Sequence, residues 1–248
     1  MTESLYEYSF VTKESKIHIK SDNKEAIKAA VKEIKRHRER LVEFIKDHPD
    51  FRHKLKPIST DVKAPRIIRL MTTASKAANV GPMASVAGAL ADIGLEAMLK
   101  VKAKVAVVED GGEIAVFTER PIVVSVFSSN PTLLSKIGFL IESKDCPVGV
   151  ATSSSKTDHA LSFGEADSVT VVADNASLAD AAATAICNSV VGKDIEESIQ
   201  RGLDRAKTIE GVRGVLIIRE ENSGLWGALP KIVKISCCLL YTSPSPRD

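Results

Sequence analysis

Aromatic side chains make up only 4% of the 248 residues, which excludes a core built on ring packing and leaves Ala, Val, Ile and Leu to form it. Charge of one sign is lacking too. Thirty-four basic residues stand against thirty-two acidic ones, so no strong positive field marks a dedicated nucleic-acid binder, and none is expected as a partner. No stretch offers about 18 uninterrupted apolar residues, and the start has no basic stretch followed by an apolar one. A membrane span and a secretory signal are therefore not expected, and a cytoplasmic location is. Cysteine is scarce: Cys146 and Cys187 stand alone and Cys237 adjoins Cys238, a spacing that gives neither a disulfide framework nor a zinc site. Buried free thiols are the expectation. A nucleophile elbow, a P-loop and a His-Glu-x-x-His pair are all missing, so the familiar hydrolase, P-loop kinase and zinc-protease readings lose support.

What is present reads as an α+β chain. Residues 6–11 and 16–20 alternate apolar and polar side chains, the period of a hairpin. Asp22 with Glu25 predicts a capped helix start, and Ile27, Val31, Ile34, Leu41 and Ile45 follow as a helical stripe before Pro49. Lys32 to Arg40 forms the opposite, charged face, to which His37 is assigned; a solvated face is the ordinary meaning, a nucleic-acid arm the alternative. Pro65 suits the first position of a helix through Ala78. Asn79-Val-Gly-Pro-Met83 interrupts it, and a small-residue helix follows over 84–99. Strands are predicted at 105–108, 114–118, 122–127, 137–141, 148–152 and 169–172, helices at 177–190 and 194–208, and a last strand at 214–219. The mixture lacks regular βαβ alternation, and two helix-then-strands blocks are only a faint echo of a repeat. Residues 1–235 are expected to form a single domain. The ending, Ser236 to Asp248, has no periodicity, closes in a Pro-Ser tract and is read as a non-native, unstructured tail.

Four segments carry candidate chemistry. Asp180 and Thr184 are four apart in an alanine-rich helix, so a carboxylate and a hydroxyl share one face and can meet one cation. Hard oxygen donors suit Mg²⁺, which takes one or two protein oxygens and completes its octahedron with phosphates and water. The ordinary reading is an Asp that complements the helix dipole in a tightly packed helix. Glu109-Asp-Gly-Gly-Glu113 joins two strands; its glycines suit a tight turn, and the functional reading has Glu109, Gly111, Gly112 and Glu113 approaching a phosphate or ring edge. Gly81 lies in a loop whose following helix presents amides to an anion or simply connects two helices. Thr152, Ser153 and Ser154 end a strand, with His159 four residues past Ser155; clustered hydroxyls and an imidazole suit phosphate binding or proton transfer, and polar loop residues are the commoner meaning.

In their order these segments resemble the ApbE-like superfamily of FAD:protein FMN transferases. Asn79-Val-Gly-Pro-Met-Ala84 is similar to its Gly-containing loop, Val108-Glu-Asp-Gly-Gly-Glu-Ile114 to its Gly-Gly-Asp-Ile segment, and Thr152-Ser-Ser154 with His159 to its Thr-Ser-Gly and downstream His. Ser168 to Val172 and Ala179-Asp-Ala-Ala-Ala-Thr-Ala185 resemble its strand and metal-binding helix. The resemblance implies that family's α+β flavin-transferase fold, a mixed or antiparallel sheet covered by helices. It also implies Mg²⁺ held by Asp180, Thr184 and the Pro82 carbonyl, with FAD as substrate or ligand. The partners it implies are a flavin nucleotide and an acceptor protein whose Ser or Thr receives FMN, with His159 as the catalytic candidate. Three features depart from it: Ser85-Val86 replaces the family's Lys-Gly pair, Ala160 to Asp167 replaces Asp-Pro-Arg-Thr-Gly, and the usual isoalloxazine-binding N-terminal part is not recognisable in Leu5 to Pro65. These point to a shorter cytoplasmic branch, either transferase or non-catalytic flavin or nucleotide binder. A third reading is an assembly subunit whose small-residue helices form a homo-oligomer.

Overall fold

The computed structural model describes residues 4–12, 15–125, 137–155 and 164–235. Strands β1 (Tyr6–Thr12) and β2 (Ser15–Ser21) form the expected hairpin and lead into α1 (Lys24–Asp47). Then come the short α2 (Asp50–His53), α3 (Arg66–Ala78), a 3₁₀ turn at Pro82–Ser85 and α4 (Val86–Lys100). Next are strands β3 (Val105–Asp110), β4 (Glu113–Thr118), β5 (Ile122–Ser125), β6 (Ile137–Ile141), β7 (Val148–Ser153) and β8 (Ser168–Ala173). Helices α5 (Ala176–Cys187) and α6 (Ile195–Lys207) precede β9 (Val212–Arg219), β10 (Asn222–Gly227) and β11 (Lys231–Lys234).

Eight strands form one sheet in the order β1-β2-β3-β4-β7-β8-β9-β10, antiparallel throughout. The sheet is two successive four-stranded halves, with helices inserted between the second and third strand of each. That arrangement accounts for the faint echo of a repeat, carried by topology and not by residues. Strands β11, β6 and β5 form a small sheet over the opposite face, where Phe139, Ile141 and Val124 pack on Ile114, Val116, Val148 and Val150. On the helix face, α1 and α4 cover the first half and α5 and α6 the second, while α3 packs on the outer side of α4 and α5.

Helices α4 and α5 are thus enclosed between the sheet and α3, which explains why both are apolar on nearly every side. The segment Pro82–Lys100 is long and apolar enough to cross a membrane despite Asp92 and Glu96 within it, but it is mostly buried inside the fold. A core helix passes the same test of composition.

Several local expectations are corrected. The N-cap of α1 is Asn23, which accepts from Glu25 N at 2.9 Å, whereas Asp22 turns to the amides of Lys104 and Val105. Pro65 is the N-cap of α3 and not its first helical residue. His37 is buried at 4% exposure, because Ile34, His37 and Leu41 follow the three-then-four spacing of the apolar stripe. Cys187 is buried and Cys146 half-buried, both as thiols outside any disulfide. The ending 236–248 lies outside the described residues.

Candidate metal and diphosphate site

The N-terminal turns of α4 and α5 meet where the two halves of the sheet join, and they meet backbone to backbone. A Cβ added at Gly88 would lie 2.2 Å from the Ala176 carbonyl oxygen, so only glycine permits the approach. Across this contact the Gly88 amide donates to Asp180 Oδ2 at 3.0 Å. Asp92, on α4, accepts from the amides of Ala176 and Ser177 at 2.8 Å each and from Ser177 Oγ at 2.6 Å. Each helix therefore has its orphan N-terminal amides satisfied by an aspartate of the other, beyond the ordinary cap that Asn175 supplies to Leu178 N at 2.9 Å.

The Gly-Gly turn completes this corner. Gly111 and Gly112 adopt φ of 70° and 117°, a region that strongly favours glycine, and open space lies where a Gly112 Cβ would stand. Asp110 and Glu113 are paired across the hairpin, and both share the face of Val108 and Ala115, which pack beneath the helices. Burial, then Asp180 and Asp110, push the Glu113 carboxyl well above its usual range. Burial also pushes Asp180 up to about 8 against the Gly88 amide, with Asp110 and Asp92 adding to the rise. Carboxylates that crowd one another in a poorly solvated corner hold protons until a cation replaces them.

Among the described residues no three Asp, Glu, His or Cys side chains converge as a protein-only metal centre. A small number of oxygen donors is the kind of set that Mg²⁺ takes from a protein. Thr184 lies one turn beyond Asp180 and is likewise half-buried in an otherwise buried helix. The 3₁₀ turn that contains Pro82 packs against α5, and the Pro82 carbonyl accepts from Ser85 Oγ at 3.0 Å with one lone pair left.

Other candidates separate from this corner. Glu109 has the opposite orientation to Asp110 by strand alternation, on the face of His18, where burial raises it to about 7 against the pull of Lys20. Thr152 and Ser153 point to opposite faces of the sheet: Thr152 pairs with Thr170 at 2.9 Å, while buried Ser153 faces the helices with its Oγ unpartnered among the described residues. Ser154 is buried beside it. Gly81 is a packing glycine, since a Cβ there would lie 1.9 Å from the Lys54 carbonyl oxygen. His159 lies outside the described residues.

Sequence reasoning missed Gly88, Asp92 and Asp110. Strand alternation could have selected Asp110 over Glu109, and an aspartate inside an otherwise apolar helix could have flagged Asp92.

This fold is that of ApbE flavin transferases. The flavin transferase ApbE from Vibrio cholerae superposes with a TM-score of 0.59 at 14% identity, over 92% of this chain and 97% of that one. The ApbE protein from Thermotoga maritima gives 0.57 at 14% identity, over 93% and 97%. The chain belongs to the AbpE bacteria family, whose sequence profile matches residues 2–215. A UPF0280 protein of Methanocaldococcus jannaschii is 37% identical over 226 residues, 90% of this chain and 91% of its own.

Proposed function

We propose that the protein binds FAD through its diphosphate and a Mg²⁺ ion at Asp180, and transfers FMN to a Ser or Thr hydroxyl of an acceptor protein. The observation that carries this is the Asp180 carboxylate itself. One oxygen is anchored on the Gly88 amide, which leaves the other for a cation, beside the Gly-Gly turn with Glu113 and Asp110. Thr184 and the Pro82 carbonyl are the further protein donors. Mg²⁺ in such a place supplies Lewis-acid polarisation of phosphoryl oxygens. The chain's own part is to hold the diphosphate against the open side of Gly112, where no side chain intervenes. The acceptor oxygen then bonds to the FMN phosphorus, the diphosphate bridge breaks, AMP leaves, and His159 is the residue we assign to take the hydroxyl proton. Ser153 and Ser154 complete the flavin-nucleotide contacts.

One observation favours a second reading, a flavin or nucleotide binder without turnover. Ser85 stands where the family's lysine is expected, and it is fully buried, with its Oγ directed to Met71 O and Pro82 O. It offers the phosphates no charge.

Incubation with FAD, Mg²⁺ and a protein bearing an acceptor Ser or Thr separates the two. FMN on the acceptor with AMP released supports transfer. FAD bound but left intact supports the binder, and no FAD binding with Mg²⁺ present overturns both.

A further inference from the structure

Asp92 stands between Ala91 and Ile93 at 7% exposure, and burial raises its carboxyl despite three donated hydrogen bonds. A carboxylate in such a place is costly, and α5 already has an ordinary cap in Asn175. The arrangement is reciprocal. Gly88 and Asp92 are four apart on α4, Ala176 and Asp180 four apart on α5, and the hydrogen bonds run Gly88 to Asp180 and Ala176 to Asp92. The helices therefore pass antiparallel at their first turns and are latched at two points one turn apart.

We infer that Asp92 is a positioning residue for the Asp180 site: by holding the first two amides of α5, it sets the rotation and height at which Asp180 meets Gly88 and faces Glu113. This rests on the cation reading of Asp180. A plain helix cap would leave those two degrees of freedom to side-chain packing, and the alanines of α5 give packing few features with which to set them. Asp92 fixes them through backbone atoms, with Ser177 Oγ as a third anchor that also lies 2.9 Å from Asn175 Oδ1.

The test uses Mn²⁺ as the probe, titrated into the full chain with FAD present and followed by electron paramagnetic resonance. Asp92→Asn keeps the shape but turns an NH₂ toward a backbone N–H. It is expected to stay folded by circular dichroism and to bind Mn²⁺ about tenfold or more weakly, the usual scale for a residue behind a metal ligand. Ser177→Ala removes one anchor of three and is expected to weaken binding about threefold. Ile19→Val, in the core beneath α1, lowers the melting temperature and is expected to leave Mn²⁺ affinity unchanged.

Equal affinity in Asp92→Asn and wild type overturns the inference and leaves the cation reading intact. So does an Ile19→Val loss as large as that of Asp92→Asn. No Mn²⁺ binding by wild type overturns the cation reading and the inference with it. Should Asp92→Asn fail to fold, Ser177→Ala decides, and unchanged affinity there overturns the inference.

Discussion

Replacing Gly88 by alanine tests the meeting of α4 and α5 most directly. The new methyl would sit 2.2 Å from Ala176 O and 2.6 Å from its carbonyl carbon, and both are backbone atoms that no rotamer change can move. The helices must separate by about 1 Å to restore contact near 3.4 Å, which also lengthens the 3.0 Å bond from Gly88 N to Asp180. Overpacking costs about 1–3 kcal/mol, and a hydrogen bond to a carboxyl that holds its proton is worth about 0.5–1.5 kcal/mol. The gain of alanine over glycine within a helix returns about 1 kcal/mol. A net loss of about 2 kcal/mol follows, which for a chain of this size lowers the melting temperature by roughly 4–8 °C. Thermal unfolding followed by circular dichroism, checked by urea titration, measures it. A Gly88→Ala protein that melts within about 2 °C of wild type refutes the close approach and the latch built on it.

Three further outcomes follow from the same structure. Burial, with Arg36, Arg40 and Arg66 nearby, lowers the pKa of His37 below its ordinary 6.5 despite Glu33. The unfolded chain therefore takes up a proton that the folded one refuses, and stability falls as pH drops through about 6.5; His37→Leu should lose that part of the slope in urea unfolding between about pH 7.5 and about pH 5, and an unchanged slope counts against it. Asp180→Asn removes one member of a crowded acidic corner, so it should melt higher than wild type without metal and lose all stabilisation by added Mg²⁺; a lower melting point without metal contradicts the repulsion argued here. Thr152→Val breaks the pair with Thr170 on the face away from the helices at a cost of about 1 kcal/mol, and FAD affinity should not change; its loss would return Thr152 to the site.

The strands and helices whose apolar period was strong were legible, as α1, the β1–β2 hairpin and the strands up to β9 show. The strands β10 and β11 were not. β10 carries three residues of low strand preference in Asn222-Ser-Gly224 and closes on Gly227, and β11 is four residues long with two lysines, so tertiary pairing rather than pattern makes both. In the candidate site, the one-turn spacing of Asp180 and Thr184 and the Gly-Gly turn were legible as geometry, because fixed spacing expresses both. Asp92 and Gly88 were not, because their meaning lies in contacts between residues 84 and 92 positions apart in the chain. His37 went astray through its company, a run of lysines and arginines, although its spacing from Ile34 and Leu41 placed it on the apolar stripe.

The charge balance of the corner favours a cation over an anion as its occupant. Two helix N-termini converge there, each worth roughly half a positive charge, which alone would invite a phosphate. Both are already answered, that of α4 by Asp180 and that of α5 by Asp92. Asp110 and Glu113 then add two more carboxylates beside the glycine turn. Fully ionised, four carboxylates against two half-charges leave an excess of roughly three negative charges, so a bare diphosphate would be repelled, while the raised Glu113 and Asp180 carboxyls show the corner holding protons in compensation. In the proposed site a divalent cation would do the same work with fixed geometry, cutting that excess to roughly one negative charge and giving a diphosphate oxygen a direct ligand. That balance favours binding of metal and nucleotide together, and FAD affinity should therefore collapse when Mg²⁺ is chelated.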